Sequence, residues 1–461
     1  MSVFFIIAGA LLNTVQAQSL RLPSILQSGM VLQRNTNAPF WGWAQPGDTV
    51  RINGSWQLKS VQGVADENGK WSAKIPTPAA GGPYTVTLSS DTTISLNNVL
   101  IGEVWIASGQ SNMQMPVKGY SYQPVLNSAE LITNSGDDQL RLFTVQRKTS
   151  NTLQNDLEGN WSEAGPATVA DFSVVGYTFA KKLRSVLNVP VGIIHTSWGG
   201  TSVKSWTDAE TLQQFDISKD DEIGDNNPHH PAVLYNAMIH PLIPFSIRGV
   251  IWYQGEHDRG EPGLYQKLFP AMIQSWRAKW DEGNFPFYYV QIAPFDYGKK
   301  VNSAYLREAQ TRTMEKVPNT GMAVTLDIGR EHVIHPPQKE KVGNRLAYWA
   351  LAKTYGIEGI DYSGPIYQSM NVKDGKAYLK FDHAEMGLTA YGDSLSNFEI
   401  AGEDRVFHSA RTQITRRNGL VVWSDEVPAP VAVRYGWKNW LQGHLYDDYG
   451  LPATSFRTDN W

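Results

Sequence analysis

A chain of 461 residues with a formal net charge of −4 and no cysteine is too long for one ordinary domain, so two or three are expected. The near-balanced charge, with no long run of one sign, argues against binding to nucleic acid or to an anionic membrane surface. Without cysteine there can be no thiol nucleophile, no thiolate metal site and no disulfide.

The chain opens with an apolar stretch, Phe4 to Leu12, followed by Val15-Gln16-Ala17, a small-x-small cleavage pattern. No Lys or Arg precedes it, and it is too short to span a bilayer as a helix. Residues 1–17 are therefore expected to be a signal peptide. The mature protein is expected to be exported, to the periplasm or outside the cell, without membrane insertion. The lack of cysteine fits a bacterial periplasm.

From Leu20 to Asn98, short alternating segments are broken by Gln45-Pro46-Gly47-Asp48, Asp66-Glu67-Asn68-Gly69 and Gly81-Gly82-Pro83. This spacing predicts an N-terminal β-sandwich domain over residues 20–98. Over residues 99–355 the rhythm becomes strand then helix. Strands are expected at Val104–Ala107, Val191–His195, Val250–Tyr253, Phe287–Ile292 and Met322–Leu326. Helices are expected at Val175–Leu187, Tyr265–Trp280, Tyr305–Met314 and Lys339–Lys353. Such alternation predicts an α/β domain, a parallel sheet between two helical layers. Residues 356–461 return to turn-rich β patterning, with Lys373-Asp374-Gly375-Lys376 as a hairpin turn. The 16 Trp residues are read mainly as core, although an aromatic excess also accompanies carbohydrate handling.

Chemistry gathers where the apolar strands end. Val104-Trp105-Ile106-Ala107 runs into Ser108-Gly109-Gln110-Ser111-Asn112, which leaves Ser111 at a strand's carboxyl end, the ligand-binding edge of open α/β sheets. A serine there can attack a carbonyl while its own N–H donates to the oxyanion that forms. Val191 to His195 ends in Trp198-Gly199-Gly200-Thr201, where the Gly200 N–H can serve as a second donor. Gly249 to Tyr253 ends in Gln254, whose side-chain amide suits a third. The neighbouring Glu256-His257-Asp258 carries good metal ligands, but adjacent residues on an extended segment point in alternating directions and no HExxH spacing accompanies them. No metal is expected there. The loop after the last strand holds His332 and His335, and either could be the base that takes the serine proton.

These segments resemble the motif blocks of the SGNH-hydrolase superfamily in the form found in its sialate O-acetylesterase family. The matching stretches are Gly109-Gln110-Ser111-Asn112-Met113, Trp198-Gly199-Gly200-Thr201, Trp252-Tyr253-Gln254-Gly255-Glu256, and Ile334-His335-Pro336 followed by Lys341-Val342-Gly343-Asn344-Arg345-Leu346-Ala347. Gly29–Arg34, Trp41-Gly42-Trp43, Leu234–Ile239, Pro286–Gln291, Arg434–Trp437 and Gly450–Ala453 extend the likeness over almost the whole mature chain. The resemblance implies a three-layer α/β/α SGNH-hydrolase core flanked by β-domains. It implies Ser111 as nucleophile, His335 rather than His332 as base, and Gly200 and Gln254 as oxyanion donors beside Ser111.

Three departures stand out. His257-Asp258 replaces the usual Ser-Asn or Ala-Asn, and Lys204 stands where Glu is common. The aspartate expected two or three residues before the base is absent, since those positions hold Val333 and His332. Glu256 is the first choice to orient His335, because related carbohydrate acetylesterases have a Gly-Glu carboxylate proposed for that role. Asp327 is the second choice; the alternative to either carboxylate is a plain Ser–His dyad. The activity implied is removal of O-acetyl groups from a carbohydrate, foremost sialic acid, through a serine acyl-enzyme and without cofactor or metal. Lys204 and Arg259 are then the local candidates to meet the sialic acid carboxylate. Two other readings remain: an acetylesterase on plant polysaccharide such as xylan or pectin, and a non-catalytic glycan-binding protein on a degenerate hydrolase core. The complete Ser111, Gly200, Gln254 and His335 set argues against the last.

Overall fold

A computed structural model describes residues 19–217, 227–415 and 419–461. The expected signal peptide, residues 1–17, lies outside the described residues. Seven strands form the central sheet: β1 (Thr93–Gly109), β2 (Asp137–Thr144), β3 (Trp161–Ala164), β4 (Val191–Ser197), β5 (Gly249–Tyr253), β6 (Phe287–Val290) and β7 (Thr320–Ala323). Their spatial order is β7-β6-β5-β1-β4-β2-β3. All neighbours run parallel except the β2–β3 edge pair. The chain leaves β1 toward β2 on one side and later returns to β5 on the other. The crevice beyond the carboxyl end of β1 is thus the switch point where doubly wound sheets bind ligands.

Central strands are apolar throughout because both faces are covered. Along β1, Val104 and Ile106 enter one core while Trp105 and Ala107 enter the other; along β5, Val250 and Trp252 oppose Ile251 and Tyr253 in the same way. Helices α1 (Ser111–Gln114), α2 (Val174–Leu187), α3 (Pro262–Trp280), α4 (Ala304–Lys316) and α5 (Lys339–Trp349) complete the layers. Leu268, Phe269, Trp276 and Leu306 from α3 and α4 fill the first core. Val175, Phe179, Val342 and Leu346 from α2 and α5 fill the second. Gly343 of α5 lies so close to α2 that a Cβ would sit 2.0 Å from Thr178 Oγ1, so only glycine permits this approach. The Trp residues are largely core, with Trp105, Trp206, Trp252 and Trp276 fully buried.

β1 is longer than its apolar run. Its first half alternates in exposure and pairs with Gly81–Ser89, while Leu100 to Gly102 pairs with Val31–Gln33. Its second half joins the central sheet. The strand therefore crosses residue 98 without a break and carries the N-terminal β-structure directly on the sheet. Glu103 secures this junction from complete burial, accepting from Arg34, Arg248, Gln33 and Tyr355.

Beyond residue 356 two four-stranded antiparallel sheets form. The hairpin turn at Asp374-Gly375 has both residues at positive φ, as a two-residue turn of this hand requires. The fully buried Arg307 of α4 docks this region. Its guanidinium donates to the Gly436 and Lys438 carbonyls at 2.8 and 2.7 Å and to Ser455 Oγ at 3.1 Å. No helix among the described residues is long and apolar enough to cross a membrane.

Candidate active site

Gly109 ends β1 at φ +136°, and a Cβ there would lie 2.2 Å from the Tyr253 carbonyl oxygen. This close approach of β1 to the end of β5 forces a glycine, and the turn it allows delivers Ser111 to the first position of α1. The Gly199-Gly200 turn after β4 packs against it. A Cβ on Gly199 would lie 3.2 Å from Ser111 Cβ, and the Gly199 N–H donates to Gln114 Oε1 at 2.7 Å. Gly200 follows at φ +77°. Neither the Ser111 N–H nor the Gly200 N–H has a protein partner among the described residues, so both remain available to an oxyanion.

Gln254 does not supply a free third donor. It is fully buried, and its amide N–H groups are both taken, one by the Thr201 carbonyl at 3.0 Å and one by the Asp258 carboxylate. Buried donors find partners within the fold, and these were out of sight in the sequence. The effect is to tie the strand end to the turn carrying Gly200. Asp258 also accepts from the Val203 N–H at 3.0 Å, and burial raises its carboxyl to about 6 against those bonds.

His335 sits on the loop that leads into α5. The Asn112 amide donates to the Ile334 carbonyl at 3.2 Å, which joins that loop to the Ser111 turn. Tyr120 spans the same two segments: its ring meets the His335 ring edge-on at 5.3 Å, and its hydroxyl donates to the Ser111 carbonyl at 3.2 Å. His335 Nδ1 is hydrogen-bonded to Gln123 Oε1. An amide oxygen can only accept, so Nδ1 carries the proton and Nε2 has the free lone pair, the tautomer a general base needs. Nε2 is buried without a partner and makes no hydrogen bond to Ser111 Oγ. Burial pushes the imidazole down to about 4, and the nearby Lys339 ammonium adds to the shift.

The orienting carboxylate expected from Glu256 is thus replaced by an amide. Glu256 is buried and accepts from Asn112 instead. On the far side of that amide, the buried Lys339 ammonium donates to Asn112 Oδ1. Burial drives the Glu256 carboxyl up and the Lys339 ammonium down, each opposed by the other's charge. Asp327 is unavailable as well, since it forms a bidentate pair with Arg345 of α5 at 2.8 and 2.7 Å. His332 is a solvent-exposed loop side chain, 3.8 Å from Glu331.

The Glu256-His257-Asp258 run points three ways. Glu256 turns to Asn112, His257 hydrogen-bonds the Gly200 backbone and stacks on His229, and Asp258 turns to Gln254. Among the described residues no group of three or more His, Asp or Glu is placed to hold a metal ion. Both expected substrate cations are committed elsewhere. Lys204 pairs with Glu261 at 2.6 Å, while Arg259 donates to the Glu256 carbonyl at 2.7 Å and stacks over Tyr297. A hydrogen-bonded serine–histidine pair does occur nearby, His195 Nε2 with Ser197 Oγ at 2.6 Å. It is buried at the end of β4.

Sequence reading missed Gln123, Tyr120 and Lys339. Gln123 stands 212 residues from His335 in an irregular turn, with no local signal. Lys339 had one: a lysine at the first position of a helix inside the His335 block.

The profile of the carbohydrate esterase family described as sialic acid-specific acetylesterase matches residues 101–352. The chain is 30% identical to the sialate O-acetylesterase of Homo sapiens, over 95% of this chain and 92% of that protein. It is 29% identical to the Mus musculus enzyme, over 91% and 90%. A crystal structure of a carbohydrate acetylesterase from Xanthomonas citri superposes with a TM-score of 0.88 at 40% identity, covering 96% of this chain and all of that one. The chain belongs to the sialic acid-specific acetylesterase family of carbohydrate esterases, which are carboxylic-ester hydrolases.

Proposed function

We propose that this enzyme is exported and removes O-acetyl groups from sialic acid through an acetyl-enzyme on Ser111. The observation that carries the mechanism is His335: Nδ1 held by Gln123, Nε2 buried and unpaired, on a loop hydrogen-bonded to the Ser111 turn. On substrate binding Nε2 accepts the Ser111 hydroxyl proton as Oγ attacks the acetyl carbonyl. The Ser111 and Gly200 N–H groups hold the tetrahedral oxyanion. As the C–O bond to the sugar breaks, His335 returns the proton to the departing hydroxyl. Water, deprotonated by the same imidazole, then releases acetate. The Gln123 amide fixes the tautomer throughout but cannot offset the imidazolium with a full negative charge.

Acetate release from O-acetylated sialic acid and from acetylated xylo-oligosaccharide tests the substrate. Faster turnover of the sialic acid ester is expected. A strong preference for the xylan-derived ester would remove the sialate reading and leave the esterase reading intact.

The pH profile follows from the base. A histidine whose pKa is lowered is neutral, and able to accept a proton, above its folded pKa. With His335 near 4, kcat/KM should be flat through the ordinary imidazole range and fall only as pH drops toward about 4. A limb at the ordinary value of 6.5 would show that His335 is not so buried in the working enzyme. Gln123→Ala should lower kcat by on the order of tenfold, the value of one neutral hydrogen bond lost in the transition state. Asp327→Asn should leave kcat near wild type while lowering thermal stability, because Asp327 holds α5 through Arg345.

A further inference from the structure

A second recess of about 300 Å³ opens beside the reacting centre, lined by Gln114, Tyr120, Arg147, Asp171, His195 and Ser197 among others. It shares two walls with the site already described. Tyr120 touches both His335 and the Ser111 carbonyl, and Gln114 holds the Gly199 N–H. Trp198, two residues before Gly200, has the Arg147 guanidinium over its ring at 5.7 Å. The recess that holds Arg147 is thus within reach of a sugar whose acetyl group lies at Ser111.

Arg147 is the only Arg or Lys in this lining, and it makes no ion pair among the described residues. The one acidic residue in the lining, Asp171, is paired with Lys118. The recess floor adds a donor. His195 is neutral, pushed down to about 4 by burial with Arg147 adding. Its bond to Ser197 Oγ fixes that hydroxyl, and with Nε2–H as donor the Ser197 proton is free to point at a ligand. A planar five-donor guanidinium beside a hydroxyl donor matches a carboxylate.

We infer that Arg147 binds the carboxylate of the acetylated acidic sugar, with Ser197 as a second donor, in the recess beside the reacting centre. This rests on the sialate reading and assigns its charge recognition to a residue outside every motif block. Lys204 and Arg259, tied to Glu261 and to the Glu256 carbonyl, are not needed for it.

The test compares acetate release from O-acetylated N-acetylneuraminate with that from the same compound carrying its carboxyl group as a methyl ester. The wild-type enzyme should favour the free acid in kcat/KM by about tenfold or more, mostly through KM. In Arg147→Gln that ratio should collapse to near one, and Arg147→Lys should restore part of it. Arg147 is exposed, so both variants should fold. A preference retained in Arg147→Gln would overturn the assignment while leaving the sialate reading standing. A wild-type enzyme with no preference for the free acid would overturn carboxylate recognition itself, and the assignment with it.

Discussion

Ser111→Ala should lose acetate release almost completely, by roughly a millionfold in kcat, and should unfold at close to the wild-type temperature. The turn that presents Ser111 is held by other bonds: Asn112 to the Ile334 carbonyl and to Glu256, and the main-chain bonds of Gln110, Gln114 and Met115. Ser111 itself is only partly buried, and alanine keeps the backbone N–H and is a good helix former. The comparison that gives this result its meaning is Ser197→Ala. Ser197 is the serine already hydrogen-bonded to a histidine, yet it is buried at the end of β4. Its loss should weaken substrate binding and leave the chemical step. His335→Ala should be about as damaging as Ser111→Ala, whereas His332→Ala should be near wild type. Measured kcat values and melting temperatures for these four variants settle the nucleophile and the base together.

Lys339→Met should produce the largest loss of stability among the site variants, about 3 kcal/mol. Methionine fills nearly the same volume, so packing is not the cause. The substitution leaves Asn112 Oδ1 without its donor and the buried Glu256 carboxylate without its cation. Glu256→Gln should also destabilise, by leaving the Lys339 ammonium buried and uncompensated. The double variant should be more stable than the sum of the two single effects, because it removes both charges. A second readout separates this from simple damage to the fold. The Lys339 ammonium helps hold the His335 imidazole down, so Lys339→Met should move the acidic limb of kcat/KM to higher pH. A destabilised variant with an unmoved limb would show that the two groups do not interact in the working enzyme.

The legible parts of this fold are those whose signal is local. β4 and β5 are unbroken apolar runs ending in glycine-rich turns, and their strands fall within two residues of the predicted ones. β2 was not predicted. It opens with Asp137, Asp138 and Gln139 and carries Arg141 inward, a pattern that reads as loop. Arg141 is tolerated because its guanidinium donates to the Asp138 and Gly29 carbonyls and to Asn98, two of them far away in sequence. The site divides in the same way. The positions of Ser111, Gly200 and His335 at strand and loop ends follow from motif blocks. The partners of their neighbours do not, since Gln254 is saturated by Thr201 and Asp258, and Glu256 by Asn112. Those contacts depend on how separate strand ends converge, and only the folded sheet brings them together.

Peptide mapping after reaction with a fluorophosphonate locates the activated nucleophile directly. One adduct is expected, on the peptide containing Ser111, forming in step with the loss of acetate release. It should be absent from Ser111→Ala, much slower in His335→Ala and unchanged in position in Ser197→Ala. An adduct on Ser197, or an active enzyme that takes no adduct at all, would contradict a serine mechanism at Ser111.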